Sequence, residues 1–208
     1  MSISDSINKA YHHGDLRNAL IEAGVKMLAE EGEQNFSMRK LARAAGVSHN
    51  APYMHFADKE ALLVAIAEQG FAILSQVVSE AIEQGEGDWD LQLKKCSWAY
   101  VRFALEHPSH LNVMFYPYDP EKYPNYYNLS ASTLQLLRDF VEAGQAAGLV
   151  KTADSKILAT LVWSLMHGVS TILAGRKMPP WVMGERTPEA LVEEFASHLY
   201  RGLIASPE

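Results

Sequence analysis

Apolar residues recur along this chain at spacings of three and four, with no sustained alternation, so the pattern predicts helices and no sheet. From Asp15, an N-cap after Gly14, the positions Leu16, Ala19, Leu20, Ala23, Met27 and Leu28 share one face that stops at Gly32. Ser37 caps a short second helix with Met38, Leu41, Ala42 and Ala45, and Gly46 ends it. Ser48 caps a third, which runs to about Phe56. A fourth begins at Asp58 and carries Leu62, Leu63, Ile66, Phe71, Leu74 and Val78 to about Ile82.

Gly85, Gly87 and Asp88 break the chain before an amphipathic segment from Leu91 to Glu106, which His107-Pro108 terminates. Residues 109–127 are aromatic and punctuated by Pro117, Pro120 and Pro124, a pattern that predicts a short helix followed by a loop. Leu129 to Ala147 is helical again, closed by Gly148. Residues 154–174 hold the cleanest stripe: Leu158, Leu161, Val162, Leu165, Met166, Val169, Ile172 and Leu173. After a loop carrying Pro179-Pro180, Thr187-Pro188-Glu189 supplies a cap, a first-turn proline and an acid suited to the helix dipole. Leu191, Val192, Phe195, Leu199, Tyr200 and Leu203 define the last helix. The expected fold is all-α with about nine helices. A three-helix domain over residues 1–60 is joined by a long helix to a second helical domain over residues 61–208.

Composition narrows the class. With 48% hydrophobic and 21% charged residues, the chain has material for a real core. It holds no uninterrupted run of about 18 apolar residues, and Met1 to Tyr11 lacks the apolar stretch of a secretory signal. The single cysteine, Cys96, cannot make an internal disulfide, so a cytoplasmic protein is expected. The net charge of −7 is unevenly spread: residues 37–59 carry Arg39, Lys40, Arg43 and Lys59 against Asp58 alone. Screening confines each field to about 8–10 Å, so a basic patch can meet phosphates on an acidic protein.

That patch coincides with two short helices separated by a turn at Gly46, with Ala42 and Ala45 small where the helices must approach. The second would present Ser48, His49, Asn50, Ala51, Tyr53, Met54 and His55, a surface too rich in polar groups for a buried face. Asn50 can pair bidentately with adenine and Arg39 with guanine, while Tyr53, His55 and Lys59 suit phosphate oxygens. Pro52 falls inside the second helix and removes a backbone donor near its first turn, leaving the local winding open to distortion.

Residues 15–63 resemble the DNA-binding domain of the tetracycline-repressor-like (TetR) family. The resemblance rests on Phe36-Ser37, Arg39-Lys40-Leu41-Ala42, Gly46-Val47-Ser48, Tyr53, His55-Phe56 and Asp58-Lys59-Glu60-Ala61-Leu62-Leu63. It implies that Arg39, His49, Asn50 and Ala51 face bases and that Ser37, Tyr53, His55 and Lys59 face the backbone. Trp163-Ser164-Leu165-Met166-His167-Gly168 looks like the Trp-x-x-x-His-Gly signature of one subfamily. The family likeness further implies a homodimer through the last two long helices, a near-palindromic operator, and a small-molecule effector that releases it. The broad 154–174 stripe independently calls for neighbours on more than one side.

Candidates for lining an effector pocket are Cys96, Tyr100, Phe103, Met114, Phe115, Trp163 and His167, with Trp98 and Tyr116 nearby in sequence. Plain core packing explains the same residues equally well. Cys96 reads as a small buried hydrophobe rather than a redox sensor. Neither His12-His13 nor His107 with His110 has ligand spacing, so no metal and no cofactor is expected. No nucleophile–base pair or glycine-rich phosphate loop points to an enzyme. The competing reading is a helical dimeric sensor or scaffold acting through protein partners.

Overall fold

Five helices start on a side chain that takes up an amide the helix cannot satisfy itself. Ser37 Oγ accepts from Lys40 N at 3.3 Å, Asp58 Oδ1 from Ala61 N at 2.8 Å, and Asp88 Oδ1 from Leu91 N at 3.1 Å. Asp154 Oδ1 accepts from Lys156 N at 2.8 Å and Thr187 Oγ1 from Ala190 N at 3.2 Å. Each cap is worth about 1 kcal/mol. The computed structural model describes residues 13–204, with side chains from Leu16 onward. The first helix already begins at His13, so Asp15 falls inside it rather than at its cap, and the His12-His13 pair lies outside the described side chains.

Among the described residues the chain forms nine α-helices: α1 (His13–Glu31), α2 (Met38–Ala44), α3 (Lys59–Glu83), α4 (Trp89–Glu106), α5 (Pro108–Met114), α6 (Pro124–Ala146), α7 (Ser155–Ala174), α8 (Pro180–Met183) and α9 (Pro188–Leu203). Two single turns of 3₁₀-helix occupy Glu33–Asn35 and Pro52–Met54. The number of α-helices agrees with the sequence pattern, but the membership differs. The expected helix from Ser48 to Phe56 is not an α-helix, and α8 sits in what reads as a loop. Helix α6 starts five residues earlier than expected, because Pro124 serves as a first-turn proline rather than a breaker.

The chain divides into two compact units. The first comprises the described residues up to Gln69 together with Ser109–Tyr123, and the second comprises Gly70–Pro108 with the described residues from Pro124 onward. Every residue from Leu62 to Ala67 is buried. Leu20, Ile21 and Met27 of α1, Leu41 and Ala42 of α2, and the rings of Phe36 and Phe56 are buried in the same unit. Residues 109–123 join this unit through polar ties. His110 Nε2 lies 3.1 Å from Gln69 Oε1, the Tyr116 hydroxyl donates to Glu33, and Lys122 bridges Asp58 and Glu60.

In the second unit α4 packs against α7 and α9, and α6 packs against α7. Trp89 stacks on Phe140 with centroids 4.9 Å apart and donates its indole N–H to the Phe140 carbonyl. Leu93, Val101, Val162, Met166, Leu191 and Leu203 are among the side chains withdrawn from water there. Burying each is worth about 1.5–3 kcal/mol.

Helices α3 and α7 both reach a mean hydropathy of 1.7 over 18 residues, long and apolar enough to match a membrane span. No uninterrupted apolar run exists because Glu68 and Gln69 break α3, and Ser164, His167 and Ser170 break α7. In α3 the apolar surface is used by the core, with 56% of the window buried, whereas in α7 only 33% is. The rest of α7 is half-buried or exposed, and its exposed residues include the apolar Ile157, Leu161 and Ile172.

Candidate nucleic-acid interface and interior cavity

The turn after α2 follows from one glycine. Gly46 has φ +68°, its amide donates to Arg43 O, and the Val47 amide reaches back to Ala42 O at 2.9 Å. This is the Schellman arrangement, and its left-handed residue turns the chain sharply out of α2. Val47 and Ser48 lie outside any helix or turn, and residues 49–55 then form one continuous turn.

The winding of that turn is set by Pro52. The amides of Ala51, Tyr53, Met54 and His55 each donate three residues back, to Ser48, Asn50, Ala51 and Pro52, and only Phe56 donates four back. Pro52 has no amide with which to reach the Ser48 carbonyl, so the tighter 3₁₀ pattern replaces the α pattern. Ser48 contributes its carbonyl here; the residue at the N-cap position of the 3₁₀ turn is Ala51, which makes no side-chain cap. The proline ring is buried beside Phe56, itself 3% exposed.

With Pro52 and Phe56 turned inward, the other side chains face out. Ser48, His49, Asn50, Tyr53 and Met54 are exposed, Met54 by 82%, while Ala51 and His55 are half-buried. The rings of His49 and Tyr53 stack at 6.0 Å. Arg39, on the outer face of α2, is exposed and has no ion pair or hydrogen bond among the described residues. Arg43 on the same helix is likewise exposed. Arg17 of α1 covers the Phe56 ring at 5.3 Å, bracing the turn from the other side.

Two of the expected backbone contacts have structural partners. Ser37 spends its hydroxyl oxygen on the Lys40 amide, which leaves its O–H free to donate. The Lys59 ammonium donates to the Glu33 carbonyl at 2.8 Å, pairs with the Glu33 carboxylate at 3.7 Å and lies over the Phe36 ring. It acts as a strut between the start of α3 and the Glu33–Asn35 turn.

The aromatic group divides between the units. Met114 and Phe115 belong to the first, so they do not share a site within one unit with the others. In the second unit a cavity of about 10 Å³ lies among α3, α4, α6 and α7. Val78, Cys96, Ser97, Tyr100, Leu137, Val162, Trp163 and Met166 line it, and the surface they present to it is apolar. Tyr100 Oη lies 3.1 Å from His167 Nδ1 and accepts from Trp163 Nε1 at 3.3 Å. Burial raises the Tyr100 phenol above its ordinary range and lowers His167 below its own, so both are neutral near pH 7. Phe103 is buried against His107 and is not part of the lining. Ser97 was missed, because a serine between apolar positions carries no sequence signal that it faces inward. Among the described residues, no three His, Cys, Asp or Glu side chains come together as a metal site.

A glycine-turned pair of short helical elements with a polar outer surface, preceding an all-helical second unit, defines a helix-turn-helix protein of the kind that docks on DNA. Residues 20–66 match the model of bacterial regulatory proteins of the tetR family, and residues 93–199 match the tetracyclin repressor-like C-terminal domain. The chain belongs to the TetR family. It is 38% identical over 64 residues to the HTH-type transcriptional repressor AcnR of Corynebacterium glutamicum, covering 31% of this chain and 34% of that one. It is 38% identical over 72 residues to the class A tetracycline repressor of transposon 1721 from Escherichia coli, covering 35% and 32%. These matches thus span about a third of each relative. A protein of unknown function from Rhodococcus sp. RHA1 has a solved structure that superimposes with a TM-score of 0.82 at 33% identity, over 94% of this chain and 98% of that one.

Proposed function

We propose that the chain is a homodimeric, ligand-responsive transcription repressor of the cytoplasm, without enzymatic activity. The observation that carries the reading is the sorting of residues 48–56: Pro52 and Phe56 are buried while Ser48, His49, Asn50 and Tyr53 face out. A structural corner with no partner would have little use for so many outward polar groups. Asn50 and Arg39 read adenine and guanine edges, and Ser37, Tyr53 and His55 hold phosphate oxygens. His49 and Ala51 complete the surface toward the bases, and Met54 offers an apolar contact.

Two copies are needed to address a near-palindromic operator, with their recognition turns about 34–36 Å apart. The exposed face of α7 supports pairing through α7 and α9. Ile157, Leu161 and Ile172 are 66%, 48% and 40% exposed along one stripe. A Cβ added at Gly168, on the same stripe, would touch nothing in a single chain. A ligand in the second unit lowers DNA affinity only to the extent that it prefers one conformation. Fluorescence anisotropy with DNA from upstream of the gene should show tight binding that weakens steeply with salt. Binding that ignores sequence at every salt concentration would remove specific regulation.

A further inference from the structure

We infer that Pro52, although its own ring is buried, helps select the operator sequence: by holding residues 48–55 in 3₁₀ winding it fixes where Asn50 stands relative to Tyr53 and His55. This deepens the regulator reading and takes from it the roles of those three side chains.

The constraint lies in the backbone. The amides of Ala51, Tyr53, Met54 and His55 each reach a carbonyl three residues back, at 3.0–3.2 Å. Position 52 interrupts the series, because proline has no amide to give. Winding of this kind rarely lasts beyond three or four residues, and a series from Ser48 to His55 unbroken by proline would overrun that length. An ordinary amide at 52 would therefore favour the α pattern, with the Ser48 carbonyl as its partner four residues back. Since position 52 is buried, such an amide must find a partner in the chain rather than in water. Phe56 already donates four back, to Pro52, so the end of the turn accommodates that spacing.

Winding decides how the outward side chains line up. At about 3.0 residues per turn Asn50 and Tyr53 stand in line, about 6 Å apart along the axis. At about 3.6 residues per turn they would diverge by about 60° and close to about 4.5 Å. The inner side of the turn is anchored: Pro52 and Phe56 are buried, Arg17 covers the Phe56 ring at 5.3 Å, and the turn packs against α2. A change of winding is therefore expressed on the outer side. There Tyr53 and His55 hold phosphates, which set register without reading sequence, while Asn50 meets a base edge. With the phosphate grip kept, rewinding swings Asn50 off its base. A bidentate contact does not survive this, since its hydrogen bonds need distances of about 2.7–3.2 Å and near-linear angles.

The test uses the full-length chain, its Pro52→Leu and Pro52→Ala variants, and a pool of duplexes with a randomised central segment. Both variants supply the amide, but only leucine also fills the space of the buried ring. Each protein selects duplexes from the pool, and sequencing gives its base preferences. Asn50→Ala marks the position that Asn50 reads, as the one whose preference it erases. NMR cross-peaks between residues four apart report the winding. Over residues 48–55 the parent should lack them and both variants should gain them. At the Asn50 position the parent should prefer one base about 5- to 150-fold. Both variants should lose that preference or pass it to another base. Their affinity for unselected DNA and its salt dependence should match the parent, because phosphate contacts carry both.

Four-apart cross-peaks throughout the parent turn would overturn the inference even if a variant does not fold. So would unchanged winding in both variants, or a shifted preference in Pro52→Ala alone. A uniform loss of affinity with preferences intact, which is what lost packing predicts, would do the same. Rewound variants that keep the parental preferences would remove only this inference. A parent with no preference in the pool would remove the regulator reading, and this inference with it.

Discussion

The ammonium of Lys122 lies 2.7 Å from the carboxylate of Glu60, 62 positions earlier in the chain. Their hydrogen bond holds the Glu60 carboxyl below its usual range and the Lys122 ammonium above its own. A depressed carboxylate adds stability above the unfolded carboxylate range and loses it as pH falls through the folded value. Both side chains are about half exposed, so the contribution is small. Lys122→Ala is expected to lower the melting temperature slightly at pH 7 and low salt. Calorimetry should show the difference closing at about 1 M salt and below about pH 4.

The side chains of Arg39 and Asn50 are exposed and make no hydrogen bond or ion pair among the described residues. Arg39→Ala and Asn50→Ala should each weaken operator binding about 5- to 150-fold, the range for one bidentate base contact. Melting curves should overlay the parent. Operator titrations of the single variants decide it, and unchanged affinity would move the contact elsewhere on the protein.

Leu161 stands near the middle of the exposed stripe on α7. A carboxylate there would meet water in a single chain but an apolar partner in a pair. Leu161→Glu should leave the circular dichroism spectrum intact and halve the mass seen by light scattering. Operator affinity should fall with it, since each half-site would then be bound alone.

Burial pushes the Cys96 thiol up to about 12. The thiolate is the reactive form, so the group should be inert in the native protein. Titration with a chromogenic disulfide reagent should count no thiol under native conditions and one after unfolding. Rapid native labelling would bring a redox role for Cys96 back into play.

Desolvation lowers the folded pKa of His167. Between that value and the unfolded one, the unfolded chain binds more protons, so stability rises with pH across the window. The benefit is complete above about pH 6.5 and declines as the solution is acidified. His167→Gln should flatten this part of the profile relative to the parent. Parallel melting curves from pH 5 to 8 measure the slope.

Much of the architecture was legible because it is encoded locally. Ser37, Asp58 and Thr187 cap the helices that their positions foretold. Gly46 makes the turn that its place between two helical patterns demanded. The outward placement of Arg39 and Asn50 also agrees with the motif that pointed to them. What stayed hidden depends on distant partners. The sequence marks Lys59 as a basic residue, but not its tie to Glu33, 26 residues before it. The composition around Met114 and Phe115 does not show that ties such as Lys122 to Glu60 belong to the unit in which their segment lies. Pro52 was visible as an irregularity, but only the hydrogen-bond pattern shows that its ring is an inward anchor and the winding 3₁₀.

The brevity of the turn at residues 49–55 limits how much text a single copy can inspect. A surface of four or five side chains spans only a few base pairs, far too little to single out one address among the millions in a genome. On the proposed reading, discrimination would be multiplied by spacing two weak readers at a fixed interval and by letting the stiffness of the intervening duplex vote on the match.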